Sequence, residues 1–185
     1  MRNLHWRIIE SKYVFKDRWF IARADKCAMP DGKIIEPYYV LEFPNWCNVV
    51  VVTEDEKLVM VRQYRHAIQE TIIELPGGVI DAGETPEQSA IREIAEETGY
   101  AVDSVELLYS ADPNPATNDN HAWFFLARNA KPIAQQKFDD AEDMDVMLYS
   151  KEEAKRLLME NKIQHGMQVG ALYAAMIKLG WLDWK

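Results

Sequence analysis

The chain has little of what a secreted or membrane-spanning protein relies on. There are two cysteines, Cys27 and Cys47, in neither a Cys-x-x-Cys nor a metal-ligand spacing. A disulfide framework is therefore excluded, and both read as reduced, partly buried thiols. No apolar run is long enough to cross a bilayer. The opening Met-Arg-Asn-Leu-His-Trp-Arg has no apolar signal core behind it, so a cytoplasmic location is expected. Internal repeats and low-complexity stretches are lacking. Positive charge is in short supply too: 21 Lys and Arg stand against 30 Asp and Glu, a net charge of −9. Such a chain repels nucleic acid and anionic membranes at long range, and neither is expected as a partner.

What is present is an ordinary globular composition. Over 185 residues, 48% are apolar and 28% charged. That is one domain, or one domain with a small appendage, and its core needs no staple. Residues 1–44 read as short extended pieces: Tyr13 to Phe15, Trp19 to Ala24 and Ile34 to Leu41, with a turn at Pro30-Asp31-Gly32. Residues 45–185 mix strands and helices without regular alternation. Asn48 to Thr53 is a β-branched run. Lys57 to Gln63 reads as a half-buried strand after a turn at Glu54-Asp55-Glu56. Further strands are expected at Val105 to Ser110, Trp123 to Ala127 and Val146 to Tyr149. Ser150 and Glu153 form a capping box, and Val169, Leu172, Tyr173 and Met176 give a last helix its apolar stripe, ended by Gly180. An α/β layered domain with a mixed sheet follows.

The strongest local signal is a helix from Pro86 to Thr98. Thr85 is a good N-cap, Pro86 suits the first helical position, Gln88 completes a capping box, and Gly99 is the stop. Ile91, Ile94, Ala95 and Thr98 make one apolar stripe. Glu93, Glu96 and Glu97 cluster on roughly the opposite face. Like charges at this spacing repel by a few tenths of a kcal/mol per pair. Three crowded carboxylates are what a hard divalent cation needs, and a solvated acidic helix face is the competing reading.

The residues before the helix decide between them. Pro76-Gly77-Gly78 is a turn that brings bare backbone close to whatever lies above it. From Gly78 the chain reads Gly-x5-Glu84-x7-Arg92-Glu93-Ile94-x-Glu96-Glu97-x-Gly99-Tyr100. This resembles the signature of the Nudix hydrolases position for position, except that Tyr100 stands where an aliphatic residue is usual. The resemblance implies an α/β/α sandwich that cleaves a nucleoside diphosphate linked to another group with bound Mg²⁺ or Mn²⁺. It implies Glu93, Glu96 and Glu97 as metal-binding carboxylates and the Gly77 carbonyl as a further ligand. Arg92 and Glu84 would pair to hold the loop against the helix, with Gly78 and Gly99 as the structural glycines.

Val61-Arg62-Gln63-Tyr64-Arg65 followed by Ile73-Glu74-Leu75-Pro76-Gly77-Gly78 resembles the ADP-ribose and nucleotide-sugar pyrophosphatase branch, as does Pro115 beyond the signature. The branch implies a small-molecule nucleoside diphosphate substrate and a homodimer formed through residues 1–44. Arg65 would contact phosphate, with Arg62 adding positive charge. Glu96, and Glu142 in the acidic loop Phe138 to Asp145, are the implied catalytic carboxylates; Asp139, Asp140 or Asp143 could take the place of Glu142. The branch tends to carry a carboxylate where this chain has Asn120, so ADP-ribose itself is not assumed. Other nucleoside diphosphate derivatives, or a non-catalytic nucleotide sensor, are the alternatives. Trp19, Phe20 and Trp46 are candidates for stacking on a base, or for core and interface positions. His66 and His121 lie near plausible site loops. On this reading the acidic block is a metal site, and the net charge no longer argues against a small diphosphate ester.

Overall fold

The computed structural model describes residues 1–133 and 143–183. Its described residues form two compact units, 1–45 with 112–121, and 46–111 with 122–185. Among them, no helix is long and apolar enough to cross a membrane.

The first unit is a three-stranded antiparallel sheet: β1 (Arg7–Lys16), β2 (Ile21–Ala28) and β3 (Ile34–Glu42), in that order. The Pro30-Asp31-Gly32 turn closes β2 onto β3, with the Gly32 N–H donating to the Met29 carbonyl at 2.9 Å. All ten residues of β1 are exposed. Arg23 gathers the charge of this unit, pairing with Asp25 at 3.2 Å and Glu42 at 2.5 Å. The 112–121 segment joins through the Leu41 N–H, which donates to the Thr117 carbonyl at 2.7 Å. Asn120 is buried there and donates to the Pro44 carbonyl at 3.0 Å. A carboxylate could not make that bond, so this position takes an amide.

The second unit is a layered α/β/α body. Its strands are β4 (Trp46–Thr53), β5 (Leu58–Arg65), β6 (Glu70–Glu74), β7 (Tyr100–Ala101), β8 (Glu106–Ala111), β9 (Ala122–Pro132) and β10 (Met144–Tyr149). The sheet runs β10-β5-β4-β9-β7, with β6 paired to β5 and β8 to β9; β4 and β9 are parallel. The helices are α1 (Pro86–Thr98), α2 (Lys151–Met159) and α3 (Gly166–Lys178).

Strand alternation builds two cores. Cys47, Val49 and Val51 of β4 face α1 together with Val59, Phe125 and Ala127. Val50 and Val52 face α2 and α3 together with Leu58, Met60, Phe124 and Leu126. A sheet covered on both faces needs apolar residues at successive positions. That corrects the expectation for β5: Leu58, Val59, Met60 and Val61 are all buried, so the strand is not half-buried. Burying side chains of this size stabilises by about 1.5–3 kcal/mol each before conformational entropy is counted.

Both capping boxes form: Thr85 with Gln88 on α1 and Ser150 with Glu153 on α2. Gly99 closes α1 in the left-handed conformation, φ 69. The helix faces differ from expectation. α1 buries Ala90, Glu93, Ile94, Glu97 and Thr98, while Ile91 and Ala95 are only half-buried. α3 buries Gln168, Ala171, Leu172, Ala175 and Met176, leaving Tyr173 exposed. In both helices the buried stripe is set by what it packs against, and it takes in polar residues that a hydrophobicity count assigns to water.

Candidate active site

Glu93 and Glu97 lie on the buried stripe of α1, one turn apart, and both line a cavity of about 810 Å³. Every residue lining it belongs to the second unit. One wall is the Pro76–Gly78 turn with Asp81 and Arg92. Another is the end of β5, with Gln63, Tyr64 and Arg65, and Ile72 and Glu74 of β6. The rest comes from Trp46 and Asn48 on β4 and from Gln164, His165 and Gln168 at the start of α3.

The turn fits against its neighbours without room to spare. The Gly77 N–H donates to Oε2 of Glu97 at 2.8 Å. A Cβ on Gly77 would stand 2.1 Å from the Cys47 carbonyl oxygen, and φ here is +146. A Cβ on Gly78 would stand 2.5 Å from Oε1 of Glu93. Only glycine lets the backbone come this close to the carboxylates. The Leu75, Pro76 and Gly78 carbonyls accept hydrogen bonds from the Asn48 side chain, the Val49 N–H and the Cys47 N–H respectively. Among the described residues the Gly77 carbonyl accepts none.

Arg92 and Glu84 are brought together: Nε donates to Oε1 at 3.1 Å and Nη2 to Oε2 at 3.0 Å. The buried Ser89 hydroxyl also donates to Glu84, at 2.5 Å. These bonds hold the Glu84 carboxyl down at a pKa of about 2, with Arg92 the largest cause. The same partner raises the Arg92 pKa further. Nη1 of Arg92 reaches Oε1 of Glu93 at 2.8 Å and Oε2 of Glu96 at 3.0 Å. Glu96 is thus turned to Arg92, and its side chain is 42% exposed. Among the described residues no three His, Cys, Asp or Glu side chains are gathered into a metal cage. The donors facing the turn are nonetheless all oxygen: two carboxylates on the cavity wall and a peptide carbonyl without a hydrogen bond. That is the chemistry a hard divalent cation selects.

Arg65 lines the cavity, and its Nε donates to Oε2 of the buried Glu74 at 2.6 Å. Arg62 does not line it. It pairs with Asp145 at 2.5 Å, beside a smaller hollow of about 240 Å³ that includes Asp143. Trp46 is at the cavity, whereas Trp19 and Phe20 are exposed in the first unit. His66 packs on Tyr64, and His121 sits 2.6 Å from Asp112. Glu142, Asp139 and Asp140 lie outside the described residues. Cys47 is deeply buried, which pushes its thiol up to about 12 and leaves it no role as a nucleophile.

His165, Asn48 and Gln168 were not singled out from the sequence. The His165 ring sits edge-on to Trp46, centroids 5.8 Å apart, and burial lowers its pKa. Gln168 had a readable signal, a polar residue in phase with Ala171, Leu172 and Ala175.

A family model for the NUDIX domain matches residues 45–168. One for the nucleoside diphosphate sugar hydrolase N-terminal domain matches residues 6–41. An ADP-ribose pyrophosphatase of Bacillus subtilis (strain 168) is 26% identical over 179 residues, 96% of each chain. A methanol dehydrogenase activator of Bacillus methanolicus is 28% identical over 167 residues, 90% of each. A solved structure, the crystal structure of an ADP compounds hydrolase, shares the fold. Its TM-score is 0.85 at 19% identity, over 98% of this chain and 100% of that one. The glycine turn pressed against Glu93 and Glu97, the layered fold and a family model over most of the length agree: the chain belongs to the Nudix family and is a Nudix hydrolase resembling the ADP-ribose pyrophosphatases.

Proposed function

We propose that the chain hydrolyses the diphosphate bond of a nucleoside diphosphate sugar, ADP-ribose or a similar compound, with Mg²⁺ or Mn²⁺. The products are a nucleoside monophosphate and a sugar phosphate. The observation that carries this reading is the single cavity that collects Glu93, Glu97, the Gly77 turn and Arg65. Glu93, Glu97 and the Gly77 carbonyl would hold the cation, with Glu96 as a further ligand. Bound there, a divalent cation would neutralise charge on the diphosphate and lower the pKa of a water toward neutrality.

The remaining work falls to the chain itself. Glu74 fixes one edge of the Arg65 guanidinium, so its other N–H groups are held ready for a phosphate oxygen. Arg62, tied to Asp145, adds positive charge from the neighbouring hollow. Trp46, Tyr64, Ile68 and Ile72 give the cavity apolar walls for the body of a nucleotide. Glu96 and Glu142 are the carboxylates proposed to take the proton of the attacking water. The water oxygen joins one phosphorus, and the bridging oxygen leaves with the other phosphate. A homodimer through residues 1–44 is proposed because β1 exposes Ile8, Tyr13, Val14 and Phe15.

A panel of nucleoside diphosphate sugars, dinucleoside polyphosphates and nucleoside triphosphates, assayed with Mg²⁺, tests the reading. Release of a nucleoside monophosphate from a nucleotide sugar is expected. Glu97→Gln should lower kcat by at least about 100-fold, since even residues behind a metal ligand are worth roughly 10- to 100-fold. No turnover across the panel, with Glu97→Gln changing nothing, would sink it.

A further inference from the structure

Gln168 and Asn48 are side-chain amides buried to 2% and 5% exposure at the floor of the cavity. Asn48 lies on the α3 side of β4, in alternation with Val50 and Val52, where an apolar residue would be ordinary. Instead the two amides form a chain of hydrogen bonds. The Leu75 N–H donates to Oε1 of Gln168 at 2.8 Å. Nε2 of Gln168 donates to Oδ1 of Asn48 at 3.2 Å. Nδ2 of Asn48 donates to the Leu75 carbonyl at 3.3 Å and the Pro76 carbonyl at 3.4 Å. A backbone donor stands at one end and backbone carbonyls at the other, so neither amide can flip without opposing like atoms.

We propose that Gln168 and Asn48 are positioning residues that orient the Gly77 carbonyl toward the metal; this rests on the diphosphate hydrolysis proposed above. The Pro76–Gly77 peptide plane is held at its oxygen by the Val49 N–H and Asn48, and at its N–H by Glu97. The Gly78 carbonyl beyond it is held by the Cys47 N–H. The Gly77 carbonyl lies between these two clamped groups. Removing the Gln168 amide leaves the buried Leu75 N–H without its acceptor and Oδ1 of Asn48 without its donor, so Asn48 is no longer braced from behind. The turn then relaxes, and the carbonyl between the clamps loses its fixed direction. A polar chain at this depth is costly when partly satisfied, which gives the turn one stable arrangement.

The test uses the full chain as wild type, Gln168→Leu and Gln168→Glu. The glutamate keeps an acceptor for Leu75 but cannot donate to Asn48 when ionised. Mn²⁺ affinity is read from the electron paramagnetic resonance of free Mn²⁺, thermal midpoints in chelator, and turnover on a nucleotide sugar. Both variants should bind Mn²⁺ roughly 10- to 100-fold more weakly than wild type while still melting cooperatively. If Gln168→Leu does not fold, Gln168→Glu decides. Folded variants that melt lower but bind Mn²⁺ as wild type does would reduce the amides to a structural role and overturn the inference. Wild type that neither binds Mn²⁺ nor turns over any substrate would instead overturn the proposed function, and this inference with it.

Discussion

The Gly77 amide and the Glu97 carboxylate are joined by a 2.8 Å hydrogen bond across 20 residues of chain. The bond locks the turn to the helix, and it makes the two neighbouring glycines unequal. A methyl on Gly77 meets backbone, the Cys47 oxygen and the Asn48 Cα, which cannot step aside. A methyl on Gly78 meets the far end of the Glu93 side chain, which can. Gly77→Ala should therefore destabilise the fold, with the backbone conformation alone costing about 1–3 kcal/mol. Gly78→Ala should melt near wild type yet lose turnover, because Glu93 is displaced. Thermal melts beside kcat measurements on both variants check the contrast.

Glu84 gives a pH signature. Its carboxyl falls from the ordinary 4.5 to about 2 in the folded chain, through Arg92 first and Ser89 second. A depressed folded pKa adds stability above the unfolded value, and that stability is lost as pH falls through the folded one. Wild type should therefore exceed Glu84→Gln in stability at neutral pH. The gap should close between 4.5 and about 2. Denaturant titrations of both proteins in chelator, over that range, measure it; a gap independent of pH would show that the ion pair contributes nothing.

Glu142→Gln addresses proton transfer. A large loss of kcat is expected, roughly 10²- to 10⁴-fold, with Mn²⁺ binding by the α1 carboxylates retained. Turnover like wild type would move the role to Glu96 or to another carboxylate, Asp139, Asp140 or Asp143.

The exposed β1 strand predicts the assembly state. Light scattering should find twice the 21.4 kDa of one chain. Val14→Lys with Phe15→Glu places charge on both faces of that strand and should leave a folded species of single-chain mass. A wild-type monomer would remove the dimer from the account.

Local features were legible in the sequence because their causes are local. The Thr85 and Ser150 capping boxes, Pro86 and the left-handed Gly99 each depend on residues within four positions. The signature singled out Glu93, Glu96 and Glu97, with Gly77 just before it; Gly77, Glu93 and Glu97 line the cavity and Glu96 does not. The face of α1 was misread because Ile91 outscores Glu93 in hydrophobicity, whereas the sheet and the turn decide which residue turns inward. β6 went unseen although Thr71-Ile72-Ile73 is β-branched; the turn before it uses Gln69 at φ 56 where glycine would have been the usual marker. The phase of Gln168 with the apolar stripe was readable, but its partners were not, since they lie 93 and 120 residues away.

That separation has a consequence for how the molecule is made. The signature is complete once residue 100 has been synthesised, but the cavity floor closes only when α3 docks onto Asn48 and Leu75. Closing so long a loop costs entropy that only the docked contacts return. Until then Glu93 and Glu97 have no finished cavity to line. Completion of the cavity is thereby deferred until α3 has been made.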